Sequence, residues 1–239
     1  MAEKTNKSSI IFRKLLIYLI IPVLISLIFI GGYFSGNLRL RDLIAPVMNR
    51  EYGLLENFQN LILIVVIIMA VFGIVRKRLL FEKIILGFIL AGALFLFLEE
   101  IDYGRLHYNY LIGNPLHDRG TNHDWNLHNL SNVNQFMKLG MDLGMIVFFF
   151  VFPLITWNST NRRIRYLRPD PWFMLTLVAM FIISHIAHAI DGTGLGMDGA
   201  LRSNTAEFRE VLIYYILLIY VITFVSRRDY LLPARSDRP

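Results

Sequence analysis

Residues 54–75 read LLENFQNLILIVVIIMAVFGIV. After a polar opening that includes Glu56, Gln59 and Asn60, the stretch is continuously apolar and shows no alternation of polar and apolar positions. A run of this length, at about 1.5 Å per residue, is long enough to cross a hydrocarbon layer of about 30 Å as a helix. Lipid offers no water to the backbone, so each peptide group must find its partner within the segment; a helix does this and an isolated strand does not. Strands of a membrane barrel would also alternate, which this run does not.

Five further stretches share that character, at 13–34, 79–98, 137–157, 171–190 and 208–226. The chain has 239 residues, 55% of them hydrophobic, and a mean hydropathy of +0.51. The expected fold is therefore all-α: a polytopic integral membrane bundle of about six transmembrane helices. No Pro/Ser/Gly-rich linker divides the chain, so residues 1–239 read as a single transmembrane domain. The first run follows a basic start, as a signal peptide would. Its Gly31-Gly32-Tyr33-Phe34 end offers no small-x-small cleavage site, and a retained signal-anchor helix is expected. Pro22 should kink that helix mildly.

The net charge of +6 would suit a nucleic-acid partner, but its distribution does not. Sixteen of the twenty-four Lys and Arg fall in four clusters between or beyond the apolar runs, near Lys4–Lys14, Arg76–Lys83, Arg162–Arg168 and Arg227–Arg238. Cytoplasmic loops of membrane proteins carry such an excess, which sets both termini in the cytoplasm of a cell, or inner, membrane. Thirteen of the eighteen acidic residues then lie on the other side. So do all six histidines: His107, His117, His123, His128, His185 and His188. No nucleic acid is expected as a partner. Cysteine is absent, which excludes disulfides and thiol chemistry.

The gathering of His and carboxylate at one membrane depth is the functional signal. His185, His188 and Asp191 recur every three residues at the outer end of the fifth helix, with His185 about 9 Å below Asp191. Ionisable groups at such depth are functional candidates, although a packing pair bonded to a neighbouring helix fits the same spacing. Glu99 and Glu100 are adjacent and point about 100° apart, so one of them is expected to face the interior as base or ligand. Glu56, Gln59 and Asn60 share one face of the second helix, and Glu207 with Glu210 opens the sixth. Acidic first turns also suit the positive end of a helix dipole, which leaves capping open for both. Asp142 is one turn from Lys138, a spacing that suits a local salt bridge. A long extracytoplasmic loop at about 101–135 carries Asn122-His123-Asp124-Trp125-Asn126-Leu127-His128-Asn129, whose two imidazoles could share a metal only in a non-helical segment.

These residue types are the ligand chemistry of a divalent metal, zinc among them. The expected reading is a metal-dependent hydrolase acting on a membrane lipid or lipid-linked substrate. Glu100, Glu99 and Glu56 would serve as catalytic groups, and His185, His188, His128, His123, Asp191 and Glu207 as metal ligands. The alternatives are a non-enzymatic subunit or assembly factor with a membrane protein partner, or a small ion- or proton-coupled transporter. A transporter would need polar groups continuing to the cytoplasmic side, and the inner halves of the helices are almost wholly apolar.

The stretch Glu99-Glu100-Ile101-Asp102-Tyr103-Gly104-Arg105, with the Asn126-Leu127-His128-Asn129 run and the Glu56/Gln59 helix start, resembles an uncharacterised group of bacterial multi-pass membrane proteins. That resemblance implies the fold and no activity. Glu99-Glu100 and Phe181-x3-His185 also resemble part of the pattern of the CAAX-type (Abi) intramembrane proteases. Arg105 lies one residue later than that pattern places its Arg, and no histidine follows His188.

Overall fold

The computed structural model describes residues 2–47, 52–104, 108, 111, 131–195, 201 and 204–227. It is all-α. Six helices are long and apolar enough to cross a membrane: α1 (Ser8–Tyr33), α2 (Leu54–Arg76), α3 (Leu80–Glu100), α4 (Phe136–Ile155), α5 (Phe173–Asp191) and α6 (Ala206–Ser226). The protein is thus a multi-pass membrane protein. The residues that begin α1, α3 and α5 meet those that end α2, α4 and α6 at one end of the bundle, called here the basic end; Glu56, Glu99, Glu100 and Glu207 sit at the other, the carboxylate end. Most of the loop expected at about 101–135 lies outside the described residues, and so do His107, His117, His123 and His128.

The sixth helix is the axis of the fold. It packs on α2, α5 and α1, and its Leu212, Ile216, Val221 and Phe224 are fully buried. Against it α2 turns the stripe Leu55, Gln59, Ile62, Val66, Ala70 and Gly73, spaced three or four apart as one helical face requires. Of the other apolar residues of α2, Leu63 is fully buried while Ile68 and Val71 are exposed, as lipid permits. Both α3 and α4 are peripheral, and most of their surface faces outward.

Pro22 does more than bend α1. Having no N–H, it cannot bond to the Tyr18 carbonyl. Leu16–Ile20 is a π turn, in which Ile21 N–H reaches back to Leu16 O. The carbonyls of Ile17 and Tyr18 are thereby left short of donors at membrane depth, and two neighbouring helices supply them. The Tyr215 hydroxyl of α6 donates to Ile17 O at 2.7 Å, and the Thr176 hydroxyl of α5 donates to Tyr18 O. Such rescue by hydroxyls is what makes proline tolerable in lipid. Thr176→Val should therefore cost about 1 kcal/mol. Much of that cost should vanish in a Pro22→Ala background, where residue 22 regains its N–H. A double-mutant cycle on thermal unfolding in detergent measures this coupling; additive effects would refute it.

The same arrangement recurs in α4, where the π turn Val147–Val151 precedes Pro153. Both π turns pack on α5. The Phe173 ring centroid lies 4.8 Å from that of Tyr18 and 5.1 Å from that of Phe149, and Tyr220 closes the group at 5.6 Å from Phe149. Aromatic side chains thus fill the bundle near its basic end.

The basic end is more than a set of solvated loops. Lys14 pairs with Asp170 at 2.8 Å, tying the start of α1 to the segment before α5. Lys77 stands between exposed Arg76 and Arg78, yet is itself 4% exposed. Its ammonium donates to the Tyr166 hydroxyl at 2.8 Å and to the Arg227 carbonyl, and lies 3.8 Å from fully buried Glu82. The expectation that the inner halves are almost wholly apolar stands beside this buried pair, which belongs to the basic cluster near Arg76–Lys83. A buried ion pair joins the α2–α3 turn to the end of α6 and to the short helix Arg162–Leu167, which carries Tyr166.

Candidate functional site

At the carboxylate end three helices are joined by polar contacts. Gln59 of α2 is completely buried and donates through Nε2 to the Glu207 carbonyl of α6 at 3.0 Å. Glu100 of α3 accepts a hydrogen bond from the Tyr214 hydroxyl of α6 at 2.6 Å. Glu207 and Glu210 precede Tyr214 on α6, and their charges, with that of Glu100, act on its phenol. Tyr214 is not polar by composition, but its position is legible afterwards. Residues 207, 210 and 214 lie on one helical face, so an acidic first turn points to the tyrosine one turn further in.

Glu99 and Glu100 are both engaged, where only one was expected to face inward. Glu99 is buried, and the Tyr103 hydroxyl donates to it. The chain leaves the helix just after α3 through two left-handed residues, Tyr103 (φ 51°) and Gly104 (φ 85°). Glycine adopts that conformation freely; tyrosine does so at some steric cost, here offset by its hydrogen bond. Bonding to Glu99 raises the Tyr103 phenol above its ordinary pKa. Glu100, about 100° further round the helix, reaches across to α6 instead.

Glu56 is buried in the first turn of α2, with Gln59 and Asn60 three and four residues on. The Oε1 of Gln59 and the Oδ1 of Asn60 are buried and accept no hydrogen bond among the described residues. Glu207 is also buried, and its Oε1 accepts from Asn204 Nδ2 at 2.8 Å, so a local contact with the segment before α6 accounts for part of its role. Asp142 does not pair with Lys138. It binds Arg209 of α6 at 2.8 Å, while Lys138 touches Asn204 Oδ1 at 3.5 Å, the outer limit of a hydrogen bond. The interhelical partner prevails because Arg209 projects from the same face of the bundle that Asp142 must bury. Above this level Tyr33 of α1 accepts the Leu201 N–H at 3.1 Å, holding the segment before α6 against the bundle.

Of the expected histidine ligands, His185 and His188 are not part of this arrangement. His185 and His188 are exposed on α5, whose inward positions at this depth are Ile183 and Ala187. Asp191 is half-buried, and its Oδ1 has no hydrogen-bond partner among the described residues. His123 and His128 lie outside the described residues. Among the described residues no group of three or more His, Asp and Glu is placed to hold a metal ion. What the geometry does assemble is a set of carboxylates from α2, α3 and α6 around a buried amide and a phenol. Such a set can accept protons and hydrogen bonds, and it can bind groups that donate them.

No family model, no curated protein and no solved structure matches the chain, so neither motif resemblance gains support from those comparisons.

Proposed function

We propose that the carboxylate end of this multi-pass membrane protein binds the polar part of a lipid or lipid-linked substrate, with Glu100 and Tyr214 as its proton-handling pair. The observation that carries this reading is the 2.6 Å hydrogen bond between them, made across two helices with Glu207 and Glu210 close by. A carboxylate held by a phenol can take a proton from a water or hydroxyl nucleophile while the phenol positions it, which is the chemistry of hydrolysis or group transfer at a headgroup. The basic clusters at the opposite end favour the cytoplasm there, which sets the candidate site on the extracytoplasmic side.

A divalent metal would polarise a headgroup carbonyl or phosphoryl oxygen and acidify a bound water. The described carboxylates do not form its ligand set, so no step here runs through a metal. A transport reading has less support, because Tyr18, Phe149, Phe173 and Tyr220 pack the bundle near its basic end.

The test is lipid retention by the purified full chain after detergent exchange, quantified by mass spectrometry. Wild type should keep lipid in near-stoichiometric amount, and Glu100→Gln and Tyr214→Phe should keep several-fold less while eluting as a folded species. Wild type that holds no lipid, or equal retention in all three proteins, would remove the proposal. Co-purification of a stable protein partner in place of lipid would favour the assembly-factor reading.

A further inference from the structure

We infer that the group lodged at the first turns of α2 and α6 is a primary ammonium, the headgroup of an amine-bearing lipid. This deepens the binding reading above and rests on it. The inference starts from two acceptors. Gln59 is completely buried, and its amide orientation is fixed because Nε2 must face the Glu207 carbonyl. Its Oε1 is therefore a true acceptor, buried and without a donor among the described residues. One residue on, Asn60 Oδ1 is also buried and has no donor among them. A buried polar atom left unsatisfied in lipid is costly, and each one in a folded protein asks for an explanation.

Most described donor groups nearby are engaged; Arg209 Nε, on the guanidinium held by Asp142, is buried and has no partner among the described residues. Gln59 Nε2 serves the Glu207 carbonyl, Asn204 Nδ2 serves Glu207 Oε1, the Tyr214 hydroxyl serves Glu100, and Arg209 Nη1 serves Asp142. A hydroxyl ligand would satisfy one acceptor and bring lone pairs that themselves need donors. An ammonium brings three N–H donors and no acceptor, so it matches the two unmet amide oxygens of α2. It also carries positive charge into a neighbourhood that contains Glu56 and Glu207. A quaternary ammonium has the same charge but no N–H, and cannot satisfy Gln59.

That distinction provides the test. The full chain in detergent is equilibrated with equal amounts of phosphatidylethanolamine, phosphatidylcholine and phosphatidylglycerol bearing the same acyl chains, and bound lipid is read by native mass spectrometry. Wild type should favour the ethanolamine lipid over both others by about tenfold, the discrimination expected of charge-assisted hydrogen bonds. Gln59→Leu should abolish the preference, and Gln59→Glu, which keeps the acceptor, should preserve it. Should Gln59→Leu fail to fold, the headgroup ranking of wild type decides alone.

Free ethanolamine in large excess, added as a competitor, identifies the source. Displacement of the lipid would mean that the ammonium suffices and could come from a soluble amine; no displacement would mean that the acyl chains are needed. Both outcomes uphold ammonium recognition. Equal retention of all three lipids would overturn the inference, assigning water to Gln59 Oε1 while leaving the lipid-binding reading intact. A preference for the glycerol lipid would overturn it in favour of a hydroxyl ligand. Retention of no lipid would overturn both readings.

Discussion

Lys77→Met should destabilise the bundle by about 3–5 kcal/mol, the usual consequence of removing one member of a buried ion pair. The substitution preserves length and apolar volume, so packing alone does not account for that figure. What changes is electrostatic. Glu82 is fully buried, neither of its oxygens accepts a hydrogen bond among the described residues, and the Lys77 ammonium 3.8 Å away is the cation it faces. The Tyr166 hydroxyl and the Arg227 carbonyl lose a donor at the same time. The Phe224 ring, whose centroid lies 5.9 Å from the ammonium, loses a nearby cation as well.

The opposite deletion, Glu82→Gln, should cost less, because Lys77 keeps both of its oxygen acceptors. Replacing both, as Lys77→Met with Glu82→Leu, should recover most of the loss, since a well-packed apolar pair often equals a buried ionic one. Thermal midpoints of the detergent-purified variants measure all three. A Lys77→Met midpoint equal to wild type would show that the pair contributes nothing to holding α6.

That pair illustrates which features the sequence makes legible. Six helices could be read from hydropathy because lipid imposes one backbone solution on any long apolar run: 54–75 became Leu54–Arg76, and 208–226 became Ala206–Ser226. Which face of each helix turns inward could not be read so easily. In water, burial sorts apolar from polar residues; in lipid, the inward and outward faces are equally apolar. Val66 is fully buried and Ile68 is 59% exposed, with nothing in their chemistry to separate them.

The same indifference hid the roles of the charged residues. Arg76, Lys77 and Arg78 form one basic run, and only the turn into α3 sends Lys77 inward. His185 and His188 carried the strongest ligand spacing in the chain, but the interior of α5 at that depth belongs to Ile183 and Ala187. Glu56, Glu99, Glu100 and Glu207 were legible as candidates because carboxylates at membrane depth are rare in any orientation. Their partners were not. Tyr214 and Gln59 acquire their meaning only from the packing of α6 on α2 and from the reach of Glu100 across to α6.

Gly73→Leu should be the most damaging substitution of an apolar residue. A Cβ at position 73 would sit 2.7 Å from Val225 Cγ2 and 2.8 Å from Leu86 Cδ1, where α2, α6 and α3 meet. Small residues at such crossings let helix backbones approach, and membrane bundles gain much of their stability from that close contact. The Val225 methyl cannot swing away as the end of a long side chain could, so the larger side chain must separate helices. Overpacking of this kind costs about 1–3 kcal/mol. Gly92→Leu is the matched control: its Cβ meets nothing within 4 Å on the exposed face of α3, and leaving glycine there should if anything favour the helix. The two damaging sites should also be coupled. Lys77 N–H donates to Gly73 O at 2.8 Å, and Val225 stands two residues before Arg227, whose carbonyl Lys77 holds. A leucine at 73 that moves the end of α6 already loosens the Lys77 contacts, so the double variant should lose less than the sum of the two single losses. Full additivity in thermal midpoints would show the close helix crossing and the buried pair to be independent devices.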